Sequence, residues 1–559
     1  MQLSDSQRVR WAVLGFGVLI FFVLPPGVAV MNDDFGYLRS VIETVHRHRP
    51  WTDDWLESWS ASLATISAIL YRISGSFQLA TQGLQVIGSI AACAGAYALC
   101  RSRDISPRAS LFISMLGLTY PPLLWKSIEY TVLVVYVPCL LWAIWAADRR
   151  RWGMFYLALA IAFTSRQSAV AWLVLPLAEV LNQLARAKNW KVAWSRPAVV
   201  LWGALAAYVV LSLGMNETQS QRMVTQHVLE RLQPATALRN LGLGLGVGAV
   251  FAGLGALVLQ WRPAGLPVAR NLPARIVAVL LVGAALFSCI EKFPRVFAEH
   301  PNFEGWSGLL YSNLVIAAGL GGLLLSRVTV RWELVAACLA AAVLVSLRAD
   351  VWDYYFADVA ILAFFCVSPS RSIEATEVWP RLPRGAGVVG VLIFAAFHLW
   401  FVFEQKCRVD RDFAVSVISE KALRAGEIEV CDIGDAPYGF VGWHLHRYFV
   451  EHDGENDPDI GGFMRYQRSG AVERVLSPMR FWPDSKSLGA LGGEPGTRVI
   501  RSEVFRVAWL WHQRVSLLRP ASPGQIQPGR LAFDRAKYRP ALLPLTNQEW
   551  REYIEATGN

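Results

Sequence analysis

Long apolar runs recur along this chain as far as residue 404, and they limit what it can fold into more than any other feature. Stretches at about 11–30, 78–100, 109–125, 130–147, 198–214, 241–260, 274–291, 307–325, 333–347, 354–368 and 387–404 can each cross a hydrocarbon layer, some with tilt or local thinning. In lipid such segments find no water for their backbone polar groups, so they must be helices. One more hydrophobic stretch, 152–182, is interrupted by Thr164-Ser165-Arg166-Gln167 and reads as two short helices meeting at a polar break. The expected architecture is a polytopic α-helical membrane protein of about 13 transmembrane helices, an odd count that puts the termini on opposite sides. Composition agrees: of 559 residues, 54% are hydrophobic and 17% charged, too few charges for an ordinary soluble surface. The first run lacks a small-residue cleavage pattern and reads as a retained helix that also serves as an uncleaved signal.

Lys and Arg divide the connecting segments into two sets. Segments 1–10, 101–108, 148–151, 184–197, 261–275, 326–331 and 369–386 hold about 20 Lys/Arg in about 75 residues, and the alternating loops about 12 in about 107. The first set, with the N-terminus, is therefore expected in the cytoplasm, and everything after residue 405 outside. The same bias accounts for the net charge of +10, because residues 406–559 hold nearly equal numbers of basic and acidic side chains. No clustered basic face of the kind nucleic-acid binding needs is present.

The external loop 31–77 is long for a connection and has its own pattern. Phe35, Leu38, Ile42 and Val45 repeat at helical spacing, as do Trp55, Trp59, Leu63, Ile66 and Leu70, with Arg47-His48-Arg49-Pro50 between them. Two amphipathic helices satisfy this, either lying along the outer membrane surface or packing their stripes on neighbouring spans. Beyond residue 405 the character changes. Breaks such as Gly492-Gly493-Glu494-Pro495-Gly496 alternate with β-prone runs at 428–431 and Val499-Ile500, which predicts a small extracytoplasmic α/β domain over 406–559. Six of the eight cysteines lie within or at the end of apolar runs as small hydrophobes; Cys407 and Cys431 can pair if their region faces an oxidising compartment. No C-x-x-C pair or zinc-type spacing occurs, and His444 and His446 have no third ligand near them, so no metal site is expected.

Asn32-Asp33-Asp34-Phe35-Gly36-Tyr37 directly follows the first span. Ionisable groups at a membrane boundary are costly to desolvate and so mark a functional site. Two adjacent carboxylates sharpen that reading, because like charges held close leave one of them ready to take a proton, as a general base must. The plainer alternative is a solvated loop pair. Arg166 occupies a break where irregular backbone is tolerated only beside protein or a water-filled cavity, and a guanidinium there can hold a phosphate bidentately. Its plainer alternative is a snorkelling Arg that anchors a helix end in headgroups.

Four features stand in a telling order: the pair Asp33-Asp34 with Tyr37 shortly after, the long loop leading into Ser74-Gly75-Ser76-Phe77, the break Thr164-Ser165-Arg166-Gln167 ahead of an apolar helix, and the cluster Asp350-Val351-Trp352-Asp353-Tyr354-Tyr355 before a late span. In this order they resemble the type-C glycosyltransferases, which use a polyprenyl-phosphate sugar as donor, and within them the bacterial relatives of protein mannosyltransferases and of the lipid A aminoarabinose transferase. The likeness covers 1–405 and lies in the architecture more than in any one short motif. Relatives often read Asp-Arg-Tyr in the late cluster, where this chain has Tyr354 in the Arg place and Arg348 nearby. The Asp of their second external loop is matched only loosely by Glu129. The C-terminal domain shares no more than the layout of the aminoarabinose transferase.

The resemblance implies an inverting transferase of the bacterial cytoplasmic membrane. Asp33 would be the general base, while Asp34 would orient the acceptor, tune Asp33 or help hold a divalent cation. Arg166, Gln167, Glu129, Arg348, Asp353 and Tyr37 would bind the donor phosphate and substrate, with interfacial anchoring an equal reading for Glu129, Arg348 and Asp353. The implied partners are the polyprenyl-phosphate sugar, membrane lipid and a glycolipid, polysaccharide or protein acceptor. Two other classes remain: a transporter or flippase of lipid-linked saccharides, and a non-catalytic scaffold. Only one broken span is evident, whereas transporters often carry paired breaks in related halves.

Overall fold

The computed structural model describes residues 5–24, 34–52, 61–105, 107, 110–111, 113–114, 130–187, 190–214, 233–260, 315–323, 330–347, 353–367, 403, 406, 410, 433–434, 473–476, 497–507 and 511–520. Helix α1 covers Asp5–Val23, and the Pro25-Pro26 that follow in sequence cannot continue it. Helices α2, Asp34–Arg47, and α3, Ala61–Ser74, form the long first loop. A π-helical turn, Leu79–Gly83, opens α4, Leu84–Ser102. Next come α5, Leu133–Asp148, and α6, Trp152–Phe163, then a 3₁₀ helix, Gln167–Leu173, that runs into α7, Val174–Ala187. Helices α8, Arg196–Gly214, α9, Pro234–Gln260, and α10, Trp332–Ser346, follow, and a short 3₁₀ helix, Asp353–Phe356, leads into α11, Ala357–Cys366.

Among the described residues, three helices are long and apolar enough to cross a membrane: Leu79–Ser102, Gln167–Arg186 and Pro234–Leu257. Shorter apolar helices fall on seven further segments, among them Leu133–Asp148 and Trp332–Ser346. The spans expected at 109–125, 274–291 and 387–404 lie wholly or largely outside the described residues, as do Cys407, Cys431, His444 and His446.

Helix α4 packs between α1 and α5, α5 packs on α6, and α9, α10 and α11 pack on one another. Lipid tails give helices no hydrophobic reason to associate, so close approach through small residues does much of the joining. At Gly88 a Cβ would run into the carbonyl oxygen of Val134, and at Gly253 into that of Gly319, so both sites require glycine. In the first loop Leu38, Val41 and Leu63 are fully buried, and Tyr37, Ile66 and Leu70 pack against the same core. Where described, the apolar stripes therefore face neighbouring helices, the second of the two arrangements left open by sequence. Ile69 and Ile73 point outward from α3. Arg72 joins the two helices, donating to the Val45 carbonyl at 3.1 Å and approaching His48 Nδ1 at 2.6 Å.

Segments of the basic set meet at one end of the bundle. Asp148 Oδ2 accepts from Arg103 Nε at 2.9 Å while its Oδ1 pairs with Arg331, which also holds Glu333. Arg103 Nη1 donates to the Phe365 carbonyl at 2.5 Å, the Arg331 N–H to that of Cys366 at 2.8 Å, and Val330 bridges Val367. Elsewhere Lys406, buried with Asp410 at 2.5 Å, reaches the Leu24 carbonyl at 3.3 Å and sets the chain after the last expected span beside the C-terminal end of α1. In the C-terminal region, β1 (Ile433–Gly434), β2 (Glu473–Leu476), β3 (Thr497–Val507) and β4 (Trp511–Pro520) form a sheet in the order β1-β2-β4-β3, parallel only between β1 and β2.

Candidate functional site

Helix α6 stops where two hydroxyls turn back onto it. Thr164 Oγ1 donates to the Ala160 carbonyl at 3.0 Å and Ser165 Oγ to that of Ile161 at 2.9 Å, side-chain bonds that bend helices. The N–H groups of Ser165 and Arg166 both reach the Ala162 carbonyl, at 2.9 and 2.8 Å, and then Arg166 turns extended with φ −160° and ψ 131°. Helix α3 covers this break. Its Ser62 N–H donates to the Thr164 carbonyl at 2.9 Å, and the Ser62 and Ser165 hydroxyls are bonded to each other. Protein cover of this kind is what permits irregular backbone at membrane depth.

The break delivers Arg166 to the interior, where it is 5% exposed, so it is no headgroup anchor. Its guanidinium carbon lies 5.1 Å from the Tyr355 ring centre and 5.8 Å from that of Tyr136, within cation–π range. Tyr136, from α5, donates its hydroxyl to Asp358 Oδ2 at 2.8 Å, and the same hydroxyl meets Ser168 Oγ at 2.9 Å. Trp172 backs the Tyr136 ring at 5.0 Å between centres. Asp358, in the first turn of α11, is 1% exposed and shares Tyr136 with Arg166, one at its hydroxyl and the other by its ring. Asp358 Oδ1 has no hydrogen-bond partner. A cation between two rings, with a half-satisfied carboxylate bonded to one of the same tyrosines, is equipped to hold an anionic or hydroxyl-bearing group out of water.

Of the residues singled out by sequence, Asp33, Glu129 and Arg348 lie outside the described residues. Asp34 opens α2 and Asp353 opens the 3₁₀ helix before α11, both described in backbone only. Tyr37 is half-buried on α2. Gln167 starts the 3₁₀ helix instead of belonging to the break, which comprises Thr164, Ser165 and Arg166. The structure thus joins the break to the late cluster, through Arg166 and Tyr355. Sequence reasoning missed Tyr136, Ser168 and Asp358. Asp358 carried a signal, being an ionisable side chain within the apolar run 354–368. Among the described residues no group of three or more His, Cys, Asp or Glu gathers, and the acidic pair that the resemblance would give to a divalent ion is not described at side-chain level.

Apolar helices, three of them among the described residues long enough to span a bilayer, together with a buried Arg166 at a helix break and a buried Asp358 on the same tyrosine, define a multi-pass α-helical membrane protein with an internal polar site. No protein-family model and no curated protein matches the chain. In structure it is similar to ArnT from Cupriavidus metallidurans bound to undecaprenyl phosphate, with a TM-score of 0.41, 13% identity, and coverage of 94% of this chain and 100% of that one. It is also similar to the apo state of the same ArnT, with a TM-score of 0.40, 14% identity, and coverage of 94% and 99%.

Proposed function

We propose that this chain is an inverting glycosyltransferase that moves a sugar from a polyprenyl-phosphate carrier to an acceptor hydroxyl on the outer side of the cytoplasmic membrane. The observation that carries the reading is the burial of Arg166 at a helix break between two tyrosines, because a guanidinium kept out of water suits a phosphate presented from the lipid side. A sugar on a polyprenyl phosphate already has a good leaving group, so one base and one or two cations suffice.

In a single displacement the acceptor oxygen forms its bond to the anomeric carbon while the carbon–oxygen bond to phosphate breaks. The acceptor proton passes to Asp33, and the phosphate departs with the bonding electron pair, its new charge offset by Arg166. Asp34 orients the acceptor, and Tyr37, Gln167, Asp353, Glu129 and Arg348 line the approach.

Asp33→Asn removes the base while keeping the shape. Transfer of labelled sugar from a prenyl-phosphate donor in proteoliposomes should fall about 10²- to 10⁴-fold, with insertion and thermal stability intact. Mass analysis of envelope glycolipids with and without the protein names the product. Undiminished transfer in Asp33→Asn sinks the assignment of the base, and donor flipping without transfer would make the protein a transporter.

A further inference from the structure

The turn between α5 and α6 carries three consecutive arginines, Arg149, Arg150 and Arg151, all of them exposed. Its backbone closes α5 with a helix-ending motif. The Arg151 N–H donates to the Ala146 carbonyl at 2.7 Å and the Arg150 N–H to that of Ala147 at 3.0 Å, which puts Arg150 in the left-handed region with φ 55°. Glycine takes that conformation with least strain, yet the residue here is an arginine that gains little from the fold. The Arg150 side chain is 67% exposed, and the carboxylate it approaches, Glu179 at 3.6 Å, already accepts from Gln183 at 2.9 Å.

Among the described residues neither Arg149 nor Arg151 pairs with a carboxylate, because Asp148, next to them in sequence, is taken by Arg103 and Arg331. Arg151 rests on Trp145, its guanidinium carbon 5.1 Å from the ring centre, a contact that fixes its direction without neutralising its charge. Three cations against one loosely held acid leave the turn positive. The face of α6 that starts at this turn is apolar and open. Gly153, Met154, Leu157 and Ala160 are exposed at helical spacing, Met154 by 45% and Leu157 by 62%, and a Cβ at Gly153 would meet nothing within 4 Å. A dissolved anion would use only the charge, and a neutral lipid only the apolar face. An amphiphile with a negative head uses both.

We infer that the Arg149–Arg151 turn and the adjoining face of α6 form a binding site for an anionic phospholipid, its phosphodiester among the guanidiniums and an acyl chain along Met154 and Leu157. A headgroup that also carries an ammonium is neutral as a whole and gains little from an uncompensated basic cluster, so the site selects headgroups without one. Helix α6, 12 residues or roughly 18 Å long, separates it from Arg166, and the inference does not depend on the glycosyltransferase reading.

The test titrates the full-length protein in detergent with dioleoyl phosphatidylglycerol or dioleoyl phosphatidylcholine and follows retained lipid by native mass spectrometry. Wild type should retain phosphatidylglycerol at about tenfold lower concentration than phosphatidylcholine. Arg149→Gln with Arg151→Gln should weaken phosphatidylglycerol by about fivefold for each charge removed, roughly 25-fold for the pair, and leave phosphatidylcholine binding and thermal unfolding in phosphatidylcholine unchanged. Each single variant should show its own share of the loss, so the inference stays testable if the double variant folds poorly. Lys191→Gln with Arg196→Gln removes two exposed charges from another segment of the basic set and should leave phosphatidylglycerol retention as it was. Equal loss in that control assigns the effect to the diffuse charge of the whole end and overturns the inference, as does equal retention of the two lipids by wild type. Glycerol phosphate and inorganic phosphate carry the charge without the chains. Displacement of the lipid by either at millimolar concentration makes the turn a site for soluble anions, which also overturns it.

Discussion

At one end of the helical bundle the chain segments are joined by full charges, and at the other by hydroxyls. At the charged end Asp148 is shared between Arg103 and Arg331, Arg331 also holds Glu333, and both arginines bond to the segment that closes α11. At the break end Ser62 bonds Ser165, Ser67 meets Tyr130 at 2.5 Å, and Tyr136 binds Ser168 and Asp358. The charged contacts share one carboxylate, Asp148, between two arginines, with Arg103 Nη2 buried and without a hydrogen-bond partner. The hydroxyl contacts are individually weak, and the Tyr136 hydroxyl among them bonds Asp358, whose other carboxylate oxygen is buried without a hydrogen-bond partner. An enzyme that works from a single face needs one adaptable end, whereas a transporter by alternating access must open both. The contrast therefore bears on function as well as stability.

The charged end should yield the larger loss when its centre is removed. Asp148→Ala leaves the Arg103 side chain, 7% exposed, without its carboxylate, and a buried charge stripped of its partner costs about 3–5 kcal/mol. The Phe365 ring 5.7 Å from Arg103 replaces little of that. Denaturant or thermal unfolding in detergent measures it. A cost below about 1 kcal/mol would mean that water already reaches the Arg103–Asp148 pair, and the two ends would then not differ as described.

The break end should respond more gently and more locally. Ser62→Ala removes one hydroxyl–hydroxyl bond and leaves the Ser62 N–H on the Thr164 carbonyl, a change worth about 0.5–1.5 kcal/mol. Its signature is faster amide exchange over 164–169 with little change in global unfolding, since local opening draws on the least protected contacts. If exchange quickens equally around Arg103 and Arg331, the two ends are one cooperative unit and the comparison fails.

How much of this was legible in the sequence depends on the reach of each interaction. Apolar runs located the helices, because hydrophobicity over a bilayer thickness is a local property, but not their ends. Helix α1 begins six residues before its run, at Asp5, and α9 seven before, at Pro234, where Pro suits the first position of a helix; a hydropathy run does not register polar or mixed residues that are helical all the same. The stripes of the first loop were legible as faces, whereas their partners were not, because periodicity does not say what covers a face. Thr164-Ser165-Arg166 announced a break, since hydroxyls that bond back to a helix are a local effect. The partners of Arg166 were out of reach. Tyr136 and Asp358 stand 222 positions apart, and only the packing of α5 against α11 joins them.

The smallest expected effect lies at the margin of the charged end and tests where that end stops. Glu333 pairs with Arg331 at 2.5 Å, but both side chains are near 30% exposed, against 6% for Asp148. Water screens such a pair, so Glu333→Gln should cost no more than about 1 kcal/mol and lose part of that cost in high salt. Arg331 keeps Asp148, so the buried part of the network survives the change. A loss as large as that of Asp148→Ala would move the boundary of the sealed region outward to α10, making Glu333 part of the seal. A salt-sensitive loss of a few tenths of a kcal/mol would place the boundary at Asp148, the carboxylate that both arginines share.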